Sequence, residues 1–162
     1  MSMTKAQAEA LAGRPGNKPK RNEREHENQV ELFRQAQFSV QKYPELNLLM
    51  AIPNGGHRSM AVAGKLKAEG VKKGFPDIFL PVPRGGWHGL MIEMKVEPNK
   101  PSPEQVQWLW DLTRNGYLAV VCYSTKDAWG LLIAYITGEY SIVLNSPDGN
   151  QMIISPTGNR LE

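Results

Sequence analysis

Hydrophobic and polar residues change their spacing along the chain, and these changes predict the order of its helices and strands. Over residues 23–37 the apolar side chains recur at helical intervals, at Val30, Leu32, Phe33 and Ala36. The predicted helix ends before Tyr43-Pro44, because the residue before a proline disfavours the helical conformation. The apolar run at 48–52 predicts a strand, and residues 59–69 predict a second helix.

Two short apolar runs in the middle of the chain carry ionisable residues where an ordinary core strand has none. The first run covers residues 74–80 and contains Asp77, and the second covers residues 90–96 and contains Glu93 and Lys95. The residues between them are rich in proline and glycine, which is typical of a turn. We therefore predict that the two runs are neighbouring strands in an antiparallel pair.

The pattern after these runs predicts a helix, a strand, a helix and a hairpin. Ser102 is the expected cap of a helix that has a proline and an acid in its first turn and ends near Asn115-Gly116. Residues 118–123 predict a buried strand, and Ser124-Thr125 caps a last helix that runs through Ile136. Two further apolar runs, 140–144 and 152–155, flank a turn and predict a terminal hairpin. This order of elements predicts an α/β fold.

A chain of 162 residues is long enough for one domain with a buried core. We expect a basic, mobile N-terminal arm over residues 1–22, the main domain over 23–137, and a hairpin extension over 138–162 that packs on the same domain. The apolar content of 41% and charged content of 22% are typical of a soluble protein. No apolar run is long enough to span a bilayer and no signal peptide is recognisable, so we expect a cytoplasmic protein without a membrane partner. The single cysteine, Cys122, lies in an apolar run and is expected to be a reduced core thiol.

The net charge of +3 and the isoelectric point near 9.0 are compatible with a polyanionic partner without requiring one. Basic residues cluster near the N-terminus and again before Asp77. These clusters are Arg14, Lys18, Lys20, Arg21 and Arg24, and then Arg58, Lys65, Lys67, Lys72 and Lys73. On their own they are equally typical of a solvated surface.

Glu93 and Lys95 are expected on one face of their strand, because strand side chains alternate between faces. In an antiparallel pair of suitable register, Asp77 lies close to Glu93. Two neighbouring carboxylates repel each other and, when ionised, are stabilised by a cation, and oxygen ligands favour Mg²⁺ or Mn²⁺. Such an ion can polarise a phosphodiester and activate a bound water. The alternative is a simple ion pair on a half-exposed strand, but apolar neighbours on both faces indicate burial, and buried charge without a function is rare.

Pro76-Asp77 followed by Glu93-Met94-Lys95 matches the short signature of the PD-(D/E)xK nucleases. The surrounding segments resemble the VRR-NUC branch of that superfamily, in the right order, from about residue 25 to about residue 136. These segments are 25–29, 52–58, 66–71, 74–77, 102–105 and 115–117. The resemblance implies a restriction-endonuclease-like fold, in which helices flank a central mixed β-sheet, and no small-molecule cofactor.

The resemblance also implies roles for residues of the two central strands. Asp77 and Glu93 are similar to the metal-binding acids of the family, and the Met94 carbonyl is a further candidate ligand. Lys95 is similar to the catalytic lysine.

Two more site residues are implied outside these strands. Gln105 resembles the family's active-site glutamine, which is placed to contact the lysine, a water or the phosphate. Glu25 resembles the acid that the first helix contributes to the metal and catalytic site, with Glu27 and Glu31 as competing candidates.

A DNA-binding surface is predicted before the first central strand. The Gly-rich turn at 54–56 is by default a tight turn, but the resemblance favours a loop that contacts phosphate through backbone N–H groups and nearby cations. The residues of this predicted surface are Asn54, Gly55, Gly56, His57, Arg58, Lys65, Lys72 and Lys73. Trp87 is a candidate for stacking on a base or covering a partner subunit. Trp108 and Trp110 are two apart on a helix, so one is expected in the core and the other partly exposed.

The sequence as a whole predicts an Mg²⁺- or Mn²⁺-dependent DNA endonuclease that contacts the phosphate backbone and reads few bases. Stand-alone relatives resemble structure-specific nucleases, so branched DNA such as four-way junctions or flaps is the expected substrate. Symmetrical cutting of two strands would require a homodimer, since one chain has one site. The alternatives are a DNA-binding module without catalysis, a monomeric nicking or flap nuclease, and a metal hydrolase of small phosphate esters. A bacterial or phage-infected cell is the expected setting.

Overall fold

The computed structural model describes residues 21–53, 60–145 and 151–154. Its elements follow one another as helix α1, a 3-10 helix, strand β1, helix α2, strands β2 and β3, helix α3, strand β4, helix α4 and strands β5 and β6. Their bounds are α1 Arg21–Ser39, the 3-10 helix Pro44–Leu48, β1 Met50–Ala51, α2 Met60–Ala68, β2 Ile78–Leu80, β3 Leu90–Met94, α3 Pro103–Arg114, β4 Leu118–Cys122, α4 Thr125–Thr137, β5 Ile142–Asn145 and β6 Gln151–Ile154.

Strands β1 to β4 form one mixed sheet in the order β1-β2-β3-β4. The first two pairings are antiparallel and β3 pairs with β4 in parallel, across the connection that contains α3. In the central antiparallel pair Ile78 lies opposite Ile92, and Leu80 lies opposite Leu90. The predicted antiparallel neighbours and the central mixed sheet flanked by helices are both confirmed.

Every residue of β3 is buried, which makes this strand the centre of the hydrophobic core. Helices α1 and α4 contact each other and β3, while α3 packs against β4. Core side chains from these elements include Leu32, Ile78, Ile92, Leu132 and Tyr135. Cys122 belongs to the same core, and burial raises the pKa of its thiol to about 12, as expected for an inert core cysteine.

The prediction of a strand over residues 48–52 is wrong for most of these residues. Pro44 starts a 3-10 turn, in which Leu46 N–H donates to Tyr43 C=O at 3.1 Å and Leu49 N–H donates to Leu46 C=O at 3.2 Å. This turn directs Leu46 into the core and leaves only Met50–Ala51 to pair with β2. The apolar run therefore contains the end of a 3-10 helix and a short strand, and hydrophobic periodicity cannot show where one ends and the other begins.

The predicted strand over residues 74–80 is also shorter than expected. Gly74 has a φ of +80° and Pro76 has no backbone N–H, so the chain reaches strand geometry only at Ile78. Asp77 therefore lies just before β2, at the end of the sheet, and not within the strand.

Hydrogen bonds to α4 fix the turn between β2 and β3. The Tyr135 hydroxyl donates to Val82 C=O at 2.7 Å, and Arg84 Nε donates to Ile136 C=O at 3.2 Å. The same guanidinium pairs with Glu45 at 2.5 Å. Trp87 lies in this turn and is only 6% exposed. Its buried side chain is therefore not available to stack on a base or to cover a partner subunit.

Strands β5 and β6 form a separate antiparallel pair over the region where the sequence predicts a hairpin. The segment before them contacts the main core, since Tyr140 is buried and stacks on Tyr135 with ring centroids 6.0 Å apart. Within the described residues, no helix has the length and apolar composition needed to cross a membrane.

The two tryptophans of α3 differ from the expectation of one core and one partly exposed residue, since both are partly buried. Trp108 packs edge-on against Phe75, with ring centroids 5.0 Å apart, and its Nε1–H donates to Lys73 C=O at 3.0 Å. The segment before β2 covers this part of α3 and explains why Trp108 is not simply on an exposed face.

We predict that Gly74→Ala destabilises the protein by about 1–2 kcal/mol, because alanine is strained at this positive φ. An added Cβ would also lie 3.2 Å from Glu104 Cβ. Gly64→Ala in the interior of α2 is the matched control, since its Cβ would meet nothing within 4 Å and the change should stabilise by about 0.5–1 kcal/mol. Urea unfolding of both variants measures the difference, and equal effects on stability would contradict the prediction.

Candidate active site

The end of the β2–β3 pair brings Asp77 and Glu93 together. Because Ile78 lies opposite Ile92, the next residues along the pair are Asp77 and Glu93. Asp77 Oδ2 accepts a hydrogen bond from Met94 N–H at 3.0 Å, and Asp77 C=O accepts one from Ile52 N–H at 2.7 Å. The carboxylate of Asp77 is thus fixed against β3, and its backbone is fixed to the chain after β1.

Glu93 is 1% exposed, and its two carboxylate oxygens have different surroundings. Oε1 accepts hydrogen bonds from Lys95 Nζ, at 2.6 Å, and from Gln105 Nε2. Oε2 is buried and has no hydrogen-bond partner among the described residues. An unpaired buried carboxylate oxygen is costly, which makes it a candidate ligand for a group that binds here.

Lys95 lies on the same face as Glu93, as the alternation of strand side chains predicts. It is 8% exposed, and its ammonium also donates to Met94 C=O at 3.1 Å. Its backbone N–H donates to Cys122 C=O at 2.9 Å and extends the parallel ladder beyond β3. The pair Glu93–Lys95 is therefore buried, and the alternative of an ion pair on a half-exposed strand does not describe it.

Burial dominates the electrostatics of the two acids. Burial, followed by the charge of Asp77, raises the pKa of Glu93 from 4.5 to about 7, against the opposing effect of Lys95. Burial also raises the pKa of Asp77, although the Met94 N–H and Lys95 oppose it. Burial alone lowers the pKa of Lys95, but the hydrogen bond and charge of Glu93 outweigh it, so the net pKa is raised.

Gln105 reaches this cluster from the first turn of α3. Ser102 is the N-cap of the helix and forms a capping box with Gln105: Ser102 Oγ accepts from Gln105 N–H at 3.3 Å, and Gln105 Oε1 accepts from Ser102 N–H at 2.8 Å. Gln105 Nε2 then points to Glu93. The predicted helix start is confirmed, and the glutamine donates to the same Glu93 oxygen as Lys95 does.

Of the three acids considered on the first helix, Glu25 lies nearest the cluster. Its Oε1 accepts from Asn99 Nδ2 at 3.0 Å, and its charge contributes to the raised pKa values of Asp77 and Glu93. Glu27 is exposed, and Glu31 is exposed and pairs with Arg34 at 2.9 Å. The geometry therefore favours Glu25.

The donor set suits a hard, hydrated cation. The available ligands are carboxylate oxygens of Asp77 and Glu93, with Glu25 and the Met94 carbonyl nearby, and the orphaned Glu93 Oε2 is the donor that a cation would satisfy. Among residues 21–53, 60–145 and 151–154, no three His, Cys, Asp or Glu side chains group closely enough to form a metal centre alone. Mg²⁺ usually binds one or two carboxylates and keeps several waters, so two acids fit this ion without a third. The Met94 carbonyl already accepts from Lys95 and would have to be shared.

The residues predicted to bind DNA are only partly described. Asn54, Gly55, Gly56, His57 and Arg58 lie outside the described residues. Lys65, Lys72 and Lys73 are exposed; Lys65 lies 3.9 Å from Glu69, and Lys73 lies 3.1 Å from Glu104. These lysines face solvent, as a phosphate-binding surface requires, although two of them have acidic neighbours.

Two contacts of the site were not anticipated from the sequence. Asn99 holds Glu25, and no local pattern marks it because the two residues are distant in the chain. The second involves the Gln105 amide, whose oxygen accepts from Ser102 N–H and whose nitrogen donates to Glu93. The spacing Ser102-x-x-Gln105 is the capping-box pattern, so this signal was present in the sequence.

Comparisons with known proteins agree with this geometry. The family model described as the VRR-NUC domain matches residues 19–126. A solved structure described as a VRR_NUC domain protein is similar to this chain, with 29% sequence identity and a TM-score of 0.61, over 70% of this chain and 88% of that chain. No curated protein matches the chain.

We predict that the metal-free protein loses stability as the pH rises from about 4.5 to about 7. In this window the unfolded chain ionises Glu93 while the folded chain still holds the proton, so folding becomes less favourable until the folded carboxyl also ionises. At about 1.4 kcal/mol per pKa unit the loss is roughly 3 kcal/mol. Glu93→Gln should remove most of it.

The measurement is urea unfolding in the presence of a chelator at pH 5, 6, 7 and 8. Glu139→Gln, which changes an exposed glutamate after α4, is the matched control and should keep the wild-type pH dependence. A Glu93→Gln variant with the wild-type slope would show that the buried carboxylate is not its source.

Proposed function

The chain belongs to the VRR-NUC family of nucleases, and on this premise we propose that it is a metal-dependent DNA endonuclease. The observation that carries the proposal is Glu93 Oε2, a buried carboxylate oxygen without a hydrogen-bond partner in the described chain, next to Asp77. A purely structural carboxylate at this position would be expected to have both oxygens satisfied.

Asp77 and Glu93 would hold one Mg²⁺ or Mn²⁺ ion, with Glu25 and the Met94 carbonyl as further oxygens, directly or through water. When bound, such an ion polarises the phosphodiester and lowers the pKa of a coordinated water. Asp77 is oriented by Met94 N–H, and Glu93 by Lys95 and Gln105, so both carboxylates are held in place before a ligand arrives.

Lys95 contributes a positive charge next to these acids. The hydrogen bond and charge of Glu93 raise the net pKa of Lys95 and favour its charged form, which suits a charge stabiliser or proton donor. An ammonium placed at the phosphate stabilises the negative charge that develops as the bond breaks. Glu93 and the Met94 carbonyl fix its position.

DNA would be bound mainly through its phosphates. Lys65, Lys72 and Lys73 are exposed and precede the site in the chain, and the segment 54–58 would add backbone N–H groups and cations. Contacts of this kind give affinity that falls as salt rises and carry little sequence information. Such contacts are compatible with a substrate that is recognised by shape, such as a four-way junction or a flap.

We expect Asp77→Asn, Glu93→Gln and Lys95→Met each to lower the rate of Mg²⁺- or Mn²⁺-dependent DNA cleavage by about 100-fold or more, because each removes a ligand or a charge at the reacting phosphate. Glu139→Gln serves as the control with unchanged activity, since Glu139 is exposed and outside the cluster. Binding should be measured in parallel by a gel-shift assay with a chelator. Unchanged cleavage in all three site variants would refute the proposal, and wild-type DNA binding without cleavage would identify a DNA-binding module.

Substrate choice and assembly form a separate prediction. Among linear, nicked, flap and four-way DNA of equal length, we expect the four-way junction to be cleaved fastest and with paired cuts. Paired cuts in two strands require two active sites. Light scattering should then give a dimer on that DNA. A protein that remains monomeric when bound and prefers nicked or flap DNA would exclude the paired mechanism and leave a monomeric nuclease.

A further inference from the structure

The start of α3 links helix capping to the candidate active site. The Gln105 side chain is the only described group that contacts both the N-cap residue of a helix and the carboxylate of Glu93. Its two ends have different chemistry, since an amide oxygen only accepts hydrogen bonds and an amide nitrogen only donates them. Whatever fixes one end therefore decides which atom the other end presents.

The fixed end is the oxygen. Ser102 N–H can only donate, so the amide atom that faces it, at 2.8 Å, must be Gln105 Oε1. The amide is planar, and its nitrogen is consequently turned towards Glu93. Ser102 Oγ holds the same turn from the other side by accepting from Gln105 N–H at 3.3 Å.

This orientation determines which oxygen of the Glu93 carboxylate has no hydrogen-bond partner in the described chain. Lys95 Nζ and Gln105 Nε2 both donate to Oε1, which leaves Oε2 as the oxygen without a partner in the described chain. A capping box accepts glutamate as readily as glutamine. At position 105, however, glutamate would place a carboxylate against Glu93 where the amide nitrogen now donates.

The approach of α3 to the site is also set by close packing. Gly74, three residues before Asp77, lies so near the first turn of the helix that an added Cβ would be 3.3 Å from Gln105 N. The first turn of α3, including Gln105, therefore lies against the segment that leads to Asp77.

We propose that Ser102 is a positioning residue of the active site: through its N–H and hydroxyl it sets the amide orientation of Gln105, which in turn directs Glu93 Oε2 towards the ligand. This role rests on the proposed nuclease function, and it reaches the reacting groups only through Gln105. Removal of such an outer contact commonly lowers metal affinity or activity about 10–100-fold.

Proline at position 102 removes both the N–H and the hydroxyl, and its comparison with Ser102→Ala isolates the N–H. Ser102 has a φ of −68°, which is within the range that proline adopts. We expect the single-turnover cleavage rate of Ser102→Pro to fall about 10–100-fold with DNA affinity within about twofold. Ser102→Ala, which keeps the N–H, should lose less, and Ser102→Thr should restore the wild-type rate.

Ser124 provides the matched control. It caps α4 by the same kind of bond, with Ser124 Oγ accepting from Asp127 N–H at 3.0 Å, but that helix start contacts neither Gln105 nor Glu93 in any described hydrogen bond. Ser124→Ala should lower the unfolding midpoint about as much as Ser102→Ala without lowering the cleavage rate. Equal rate losses in the two alanine variants would mean that Ser102 acts only through stability.

A double-variant test separates positioning from every other effect. In the Gln105→Ala background, Ser102→Pro should cause no further loss of rate, because its effect passes through the amide. A further tenfold loss there would overturn the proposal. So would a Ser102→Pro variant that folds and cleaves at the wild-type rate.

A readout without catalysis keeps the two proposals distinguishable. In the metal-free protein the side-chain NH₂ signals of Gln105, identified by their absence in Gln105→Ala, should be well separated by NMR and should move to the positions of an exposed glutamine in Ser102→Pro. Ser124→Ala should leave them unchanged. If wild-type protein cleaves no DNA, the nuclease proposal fails while these signals still decide the orientation of Gln105. If Ser102→Pro does not fold, a smaller shift in Ser102→Ala replaces it, and unchanged signals there would overturn the proposal.

Discussion

The carboxylate of Glu93 lies near the end of a completely buried strand, and the architecture around it is organised by the cost of keeping it there. A carboxylate removed from water is tolerated only with compensating partners. Lys95 and Gln105 compensate one oxygen, and the other is left without a partner in the described chain. Burial and the charge of Asp77 raise the pKa of the group in spite of Lys95. The domain therefore gives up stability at the point where it gains a binding group, as functional sites commonly do.

The two ends of the central antiparallel pair have different tasks. At the turn, Tyr135 and Arg84 hold the backbone against α4, so the strands cannot slide relative to that helix. At the opposite end, Asp77 and Glu93 face each other with their positions set by backbone hydrogen bonds and by α3. Apolar packing along the pair fixes its register, and this register in turn fixes the separation of the charged residues at its end.

Much of this arrangement could be predicted from the sequence, because the strongest signals are local. The helix starts at Ser102 and Ser124 follow from capping patterns, and the shared face of Glu93 and Lys95 follows from strand alternation. The 3-10 turn at Pro44 was missed, since the apolar run after it has no period that separates turn from strand. The choice of Glu25 over its neighbours and the contact with Asn99 depend on where α1 docks, which no local pattern contains. The similar partial burial of Trp108 and Trp110 was missed for the same reason, as Phe75 and Lys73 contact Trp108 from another segment.

The position of Gln105 has a consequence for the assembly of the site during synthesis and folding. Glu25, Asp77, Glu93, Lys95 and Gln105 are dispersed over most of the chain's first two thirds, and the last of them lies in the first turn of α3. A nascent chain that has emerged from the ribosome only as far as β3 contains both acids but not Gln105, which helps to orient Glu93. The same holds for a proteolytic fragment truncated before α3. The assembled cluster thus exists only in the folded domain, and an unfinished or damaged chain carries its residues without its geometry.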